Sequence, residues 1–128
     1  MQRSAGLFTG LDTVLLRVRK LDEARAWYER TLGFSATYDD PNEGLVIFDL
    51  GGTTTLTLWQ LKPGDRPPPP ASATGFPIFG AADAKAAHAT LRARGVEAGA
   101  IQEGPGVRYF GFLDPDGNRL EVCELVPE

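Results

Sequence analysis

The sequence predicts an α+β fold in which two βαβββ modules form one curved, eight-stranded cup. Three observations carry this reading. The order strand, helix, three strands is legible between residues 12 and 61 and again between residues 76 and 126. The two helices carry matching end signals, an aspartate at the start (Asp22, Asp83) and a glycine at the end (Gly33, Gly95). Between the copies lies Pro67-Pro68-Pro69-Pro70, a run that favours extended polyproline II and cannot enter a sheet. Such a repeat is an internal duplication and not a solenoid, which needs more copies. Each copy alone has too small a core, so joining the two sheets side by side is the economical arrangement.

Composition bounds the rest. At 128 residues the chain has the length of one domain, placed at 11–126, and enough mass to bury roughly two thirds of its unfolded surface. A net charge of −4 with no basic run argues against nucleic acid as a partner. No apolar signal region follows Met1 and no stretch approaches membrane-spanning length, so no membrane association is expected. One cysteine allows no internal disulfide, and a cytoplasmic, reducing setting is the default.

Residues 1–10 carry no pattern and read as an arm or tail. Module 1 follows, at 11–61. Residues 12–18 alternate, with Val14, Leu16 and Val18 on one face and Thr13, Leu15 and Arg17 on the other, as in a half-buried strand. Asp22 is the N-cap candidate, and Glu23 stands at the positive end of the helix dipole. Ala24, Trp27, Tyr28, Thr31 and Leu32 recur at helical spacing as far as Gly33. Strands are expected at 34–38, 45–50 and 53–61, with turns at 39–42 and 51–52. Residues 62–74 read as a linker, a spacer in preference to a ligand for a proline-binding domain.

Module 2, at 75–126, repeats the order. A strand at 76–81 leads to Asp83, the second N-cap, and Ala84, Ala87, His88 and Leu91 follow at helical spacing. Strands are expected at 96–101, 107–113 and 119–126. Pro77 removes a ladder donor and predicts a bulge or local break. In the turn at 114–118, Pro115 presets φ, Asp114 and Asn118 can bond their own backbone, and Gly117 supplies a positive φ. After it, Arg119, Glu121 and Cys123 alternate with Leu120 and Val122. The hairpin therefore delivers one carboxylate, Glu121, to the face opposite the apolar one.

The helices are expected to cover Val14, Leu16, Leu56, Leu58, Phe79, Leu120 and Val122. The concave face is expected to hold Thr13, Leu15, Arg17, Thr55, Thr57, Trp59, Phe76, Ile78, Glu121 and Cys123. His88, the single histidine, falls on a helix and reads as an ordinary half-buried or solvated residue. Cys123 reads as a small core hydrophobe and not a nucleophile, because no histidine partners it.

With these elements in place, four stretches carry a family resemblance. They are Leu11-Asp12-Thr13-Val14-Leu15-Leu16-Arg17-Val18, the helix Asp22-Glu23-Ala24-Arg25-Ala26-Trp27-Tyr28 with Leu32-Gly33-Phe34, Leu91-Arg92-Ala93-Arg94-Gly95-Val96, and Asp114-Pro115-Asp116-Gly117-Asn118-Arg119-Leu120-Glu121. Together they resemble the vicinal oxygen chelate superfamily of glyoxalase I, extradiol dioxygenases, fosfomycin-resistance and bleomycin-resistance proteins. The resemblance spans nearly the whole chain from Leu11. It implies the glyoxalase/bleomycin resistance/dioxygenase cup, usually within a homodimer. It also implies metal ligands at the positions of Thr13, Phe76 and Glu121, with a fourth in the strand of Thr55 and Thr57. Only Glu121 has a ligating side chain of the kind implied. One histidine cannot build a site of two histidines and a carboxylate, so neither a divalent metal nor another cofactor is expected.

Two functions remain open at this level, and a third beside them. The first is a binding protein of the bleomycin-resistance type, holding an apolar or aromatic small molecule among Thr13, Arg17, Thr55, Thr57, Trp59, Phe76, Ile78, Glu121 and Cys123. The second is an isomerase, lyase or dioxygenase in which Glu121 acts as base or remaining ligand. Among Trp59, Phe76 and Ile78 a carboxylate loses hydration, which suits a general base. The alternative for Glu121 is an ion pair with Arg17. The third function is a partner-binding module whose cup is closed by its own side chains.

Overall fold

The computed structural model describes residues 6–67 and 75–127. In chain order the elements are β1 (Thr13–Val18), α1 (Leu21–Leu32), β2 (Ser35–Asp40), β3 (Leu45–Asp49), β4 (Thr55–Gln60), β5 (Ile78–Gly80), α2 (Ala84–Ala93), β6 (Gln102–Gly104), β7 (Val107–Leu113) and β8 (Arg119–Leu125). They form two four-stranded sheets of one topology, β1-β4-β3-β2 and β5-β8-β7-β6. In each, the first strand pairs parallel with the last, as a helical crossover requires, and the other neighbours are antiparallel. Neither sheet closes into a barrel; the two open sheets, each with a helix against one face, make the curved cup.

Alternation sets which face is covered. Val46, Phe48, Leu56 and Leu58 of the first sheet are fully buried, as is Leu120 of the second, and Phe110, Phe112 and Val122 nearly so. Burying a side chain of this size contributes about 1.5–3 kcal/mol relative to exposure. Tyr28 of α1 stacks on Phe48 with ring centroids 5.8 Å apart. Ala84 and Leu91 of α2 are buried as well, within the same core as the second sheet's apolar face.

The helix ends follow local chemistry, with one correction. Asp83 accepts from the Ala86 amide at 3.0 Å, as an N-cap should, and Glu124 Oε1 takes the Ala84 amide at 2.8 Å. Asp22 does not cap α1. The helix starts two residues earlier, with Lys20 at the N-cap and no side-chain bond from it. Gln60 Oε1 instead receives the Leu21 amide at 2.8 Å, which leaves Asp22 and Glu23 in the first turn, where the dipole favours them. Gly33 ends α1 at φ 74° with its amide bonded to Glu29 O.

Three strand predictions change. Residues 96–101 are not a strand. Val96 turns into the core, the Ala98 amide bonds back to Val96 O at 3.0 Å, and among the described residues the segment's one backbone bond to β7 is from the Gly99 amide to Gly111 O at 2.8 Å. Ladder pairing resumes at Gln102. The strand expected from Phe76 begins at Ile78; Pro77 has no amide to give, although its carbonyl accepts the Glu121 amide at 3.0 Å. The strand expected from Phe34 begins at Ser35, because the Phe34 amide completes the end of α1 on Tyr28 O. Residues 1–5 of the predicted arm and residues 68–74 of the predicted linker, including Pro68, Pro69 and Pro70, lie outside the described residues.

Polar and aromatic contacts join the modules. Tyr28 OH donates to Asp114 at 2.6 Å, Asn118 Nδ2 to Arg17 O at 3.1 Å, the Arg19 amide to Asp116 at 2.8 Å and Arg94 to Thr31 O at 2.8 Å. Phe34 meets Phe79 edge-on at 5.4 Å. Among the described residues, no helix is long and apolar enough to cross a membrane.

Candidate functional site

The turn before β8 builds the site's frame. Asp114, 4% exposed, accepts from the amides of Asp116 and Asn118, from Asn118 Nδ2 and from Tyr28 OH, at 2.6–2.9 Å. Gly117 takes a φ of 85° and returns its amide to Asp114 O. The chain enters β8 in a fixed register: Leu120 and Val122 go to the helix side, and Arg119, Glu121 and Cys123 to the other.

Arg119 and Glu121 line a cavity of about 630 Å³, a volume in the usual range for a small-molecule site. Trp27 of α1, Tyr109 and Gly111 of β7, and the segment from Gly95 to Gln102 supply its other walls. Gly111 stands opposite Glu121 in the β7–β8 ladder, and a Cβ there would come within 3.6 Å of both Arg119 and Glu121. The 95–102 segment is fixed at Gly99. Its amide bonds Gly111 O, and its carbonyl accepts from His88 Nε2 at 2.9 Å. His88, half-buried as its pattern predicts, meets Phe110 edge-on at 4.9 Å. It thus positions one wall of the cavity.

Glu121 is 8% exposed. Its Oε2 accepts from Arg119 Nη2 at 2.5 Å, and the Arg119 guanidinium lies over the Phe76 ring at 4.7 Å. Arg119 Nε is enclosed and has no hydrogen-bond partner among the described residues. A general base needs a free lone pair aimed at its proton. For Glu121, Arg119 takes one acceptor position on Oε2, and among the described residues Oε1 accepts no hydrogen bond.

The other predicted site residues are placed elsewhere. Thr13, Arg17, Thr55, Thr57 and Trp59 are all on the first sheet. Thr13 and Thr57 hydroxyls bond each other at 2.7 Å, and Thr13 Oγ1 also donates to Thr55 O. Arg17 does not pair with Glu121. Its guanidinium lies 4.2 Å from the Trp59 ring centroid and binds Asp65 at 2.6 Å. The Asp65 carboxyl is held below its usual range by the Lys62 amide first and by Arg17 second. Arg17 is captured locally because the chain after β4 turns back at Lys62–Asp65. Trp59 and Phe76 therefore do not flank one pocket: Trp59 packs with Arg17 and Lys62, Phe76 with Arg119. Ile78 pairs with Glu121 across the parallel ladder but is 57% exposed and faces a separate cleft with Phe34 and Thr54. Cys123 is half-buried, with its thiol against Glu124 O at 3.9 Å.

Sequence reasoning placed Arg119 on the face of Glu121 but gave it no role, and it did not single out Tyr109, Gly111 or Trp27. The period-two spacing of Arg119 and Glu121 was the available signal for the first. The others depend on which β7 residue faces Glu121 and on where α1 packs, which only the register and tertiary packing decide.

The divalent metal that the resemblance implies does not fit these side chains. Thr13 and Thr57 offer neutral hydroxyls already bonded to each other, Phe76 offers no donor, and Glu121 is engaged by a guanidinium. Transition metals favour imidazole, thiolate and carboxylate donors converging on one point. Among the described residues, no three His, Cys, Asp or Glu side chains converge in that way.

Comparison with known proteins agrees with the topology. Solved structures similar to this chain include TnmS3, an antibiotic binding protein from Streptomyces sp. CB03234, at 26% identity and TM-score 0.79, covering 94% of this chain and 98% of that one. A member of the glyoxalase/bleomycin resistance protein/dioxygenase superfamily from Sphaerobacter thermophilus DSM 20745 is 28% identical, with TM-score 0.77 and coverage of 92% and 98%. A glyoxalase/bleomycin resistance protein from Streptomyces sp. CB03234 is also 28% identical, with TM-score 0.72 and coverage of 88% and 98%. No curated protein matches the sequence. The model of one family matches residues 10–122, from β1 through most of β8 and so across both modules. With the duplicated βαβββ topology and the closing Asp114–Glu121 hairpin, that match makes this chain a member of the Glyoxalase/Bleomycin resistance protein/Dioxygenase superfamily.

Proposed function

We propose that this protein binds a small apolar or aromatic molecule in the cavity beside Arg119 and Glu121, without a metal. The observation that carries the reading is the cavity itself: about 630 Å³, walled by Trp27 and Tyr109, with one ion pair at its polar end. Aromatic walls around a few fixed polar groups are the usual make-up of a ligand site. The likeness to TnmS3, an antibiotic binding protein, supports a binding role. Four apolar side chains exposed on the strands, Leu15, Ile78, Leu113 and Leu125, support a homodimer. The proposal also places the protein in the cytoplasm, with no nucleic-acid or membrane partner, consistent with its acidic charge.

A thermal-shift screen of aromatic compounds tests this. A ligand at a hundred times its dissociation constant adds about 2.7 kcal/mol, which raises Tm by several degrees in a domain of this size. Of the two tryptophans, Trp27 lines the cavity and Trp59 does not. Ligand quenching should therefore persist in Trp59→Phe and vanish in Trp27→Phe. Quenching that follows Trp59 instead would move the site to the first sheet.

The second reading is an enzyme in which Glu121 acts as base, kept open by the buried carboxylate on the cavity wall. Glu121→Gln separates the two. A binding protein retains affinity within about tenfold, whereas an enzyme relying on this base loses turnover by 10²-fold or more, an order-of-magnitude expectation.

A further inference from the structure

We infer that Arg119 reads a neutral hydrogen-bond acceptor on the ligand, a carbonyl oxygen carried by an apolar ring system, and discriminates against anions and cations. The inference deepens the binding reading above and rests on it. Arg119 lines the cavity, and its side chain is 40% exposed, so a ligand can reach the guanidinium. One of its nitrogens is committed to Glu121 at 2.5 Å, while Phe76 lies against the guanidinium plane at 4.7 Å. The group is thereby held in place with further N–H donors to offer, since a guanidinium carries five. An acceptor on the ligand takes a guanidinium N–H that the bond to Glu121 leaves free, at the exposed part of the side chain.

The charge of the ligand follows from what surrounds Arg119. The charged residues lining the cavity are Arg119, Glu121, Asp114 and Glu97. Asp114 is occupied by Tyr28, Asn118 and turn amides, and Glu121 by Arg119. One cation thus faces three carboxylates. An anionic ligand meets net like charge, and it must compete with Glu121 for the guanidinium. A cationic ligand gains from that net charge, but the carboxylates nearest Arg119 are already bonded, and an ammonium offers Arg119 no acceptor and meets its charge at the cavity's polar end. A carbonyl oxygen accepts from Arg119 without disturbing the ion pair or adding charge to a partly desolvated site.

Four probes of one ring body test this by equilibrium dialysis against the 128-residue chain: 2-acetylnaphthalene, 2-ethylnaphthalene, 2-naphthoate and 2-naphthylmethylammonium. The ketone should bind about tenfold or more tighter than the hydrocarbon, the scale of one hydrogen bond to a charged group. It should also bind tighter than either ion. Arg119→Met alone strands a buried carboxylate and can fail to fold. The decisive variant is therefore the double substitution Arg119→Met, Glu121→Gln, with Arg119→Lys beside it. Preference for ketone over hydrocarbon, read within each protein, should collapse toward unity in the double variant and shrink in Arg119→Lys. Equal binding of ketone and hydrocarbon overturns the role of Arg119 while leaving the cavity as a site. So does a preference that survives the double variant, or tightest binding by either ion. Failure of all four probes to bind overturns the cavity reading together with this one.

Discussion

Tyr28→Phe tests how the two modules are held together. The hydroxyl donates 2.6 Å to Asp114, with Tyr28 fully buried and Asp114 4% exposed. Among the described residues, every partner of Asp114 donates to it. Phenylalanine keeps the ring contacts with Trp27, Phe34 and Phe48 and removes this one bond. A hydrogen bond to a charged group is worth roughly 2 kcal/mol, so urea unfolding near neutral pH should show a loss of that size. The same bond has an alkaline signature. Burial first, and the Asp114 carboxylate second, raise the Tyr28 pKa well above its ordinary 10.0. Below pH 10 both folded and unfolded states keep the phenolic proton, and the full contribution is present. Above pH 10 the unfolded state releases it while the folded state still holds it. Fewer protons on the unfolded chain make stability fall as pH rises, by about 1 kcal/mol per unit, until the folded group titrates. The variant lacks this term, so the gap between wild type and Tyr28→Phe should narrow from pH 10 upward. Urea titrations followed by circular dichroism from pH 7 to 11 measure both limbs. A loss under about 0.5 kcal/mol at neutral pH, the size of an ordinary surface change, would refute the lock. So would a gap that stays constant to pH 11.

Three further predictions follow from the site. Dialysis against a buffer holding zinc, nickel, iron and manganese should leave the protein without a stoichiometric transition metal by elemental analysis, and one retained equivalent that Glu121→Ala abolishes would overturn the metal-independent reading. His88→Ala should leave the core nearly intact but loosen the 95–102 wall, since it removes the bond to Gly99 O; amide exchange at residues 97–101 should quicken and ligand affinity should fall by about threefold to tenfold, whereas unchanged exchange there would show that the Gly99–Gly111 bond suffices. Light scattering at micromolar concentration should give about 28 kDa, twice the chain's 13.8 kDa, and a single-chain mass would remove the dimer from the proposal.

Most of the fold was legible because its signals are local. Period-two alternation placed β1, β4 and β8, helical spacing placed both helices, and the Asp114–Gly117 turn fixed the register of β8. The misses occur where tertiary context overrides a local signal. Asp22 has good N-cap chemistry, but Gln60 on β4 already supplies the acceptor that α1 needs, so the helix begins before it. Residues 96–101 look like a strand because Val96 and Ile101 are apolar. Val96 is nevertheless drawn into the core, and among the described residues the segment makes a single backbone hydrogen bond to β7.

The site was less legible, and the reason is physical. Facing direction along a strand can be read from a sequence, but the partner a long charged side chain takes cannot. Arg17 and Glu121 were both expected on the concave face, and the topology implied by the family resemblance made their pairing plausible. Each finds a closer partner: Arg17 takes Asp65 from the chain that turns back after β4, and Glu121 takes Arg119 two residues before it on the same face. The outcome also separates the two halves of the duplicated cup. The first sheet spends its inward face on a Thr13–Thr57 hydroxyl pair and a cation-bracketed Trp59, contacts that satisfy one another. The second sheet sets Gly111 opposite Glu121 and stands its wall off β7, which leaves open volume beside the ion pair. Side-chain size at that one register position separates the halves further. The first module carries Ile47 opposite Thr57 where the second carries Gly111 opposite Glu121. The cavity lies in the half where a glycine faces a carboxylate. Gly111→Ile, which copies the first module's choice, should fill the space beside Arg119 and abolish ligand-induced thermal shifts while leaving the second sheet paired; ligand binding that survives it would place the site elsewhere.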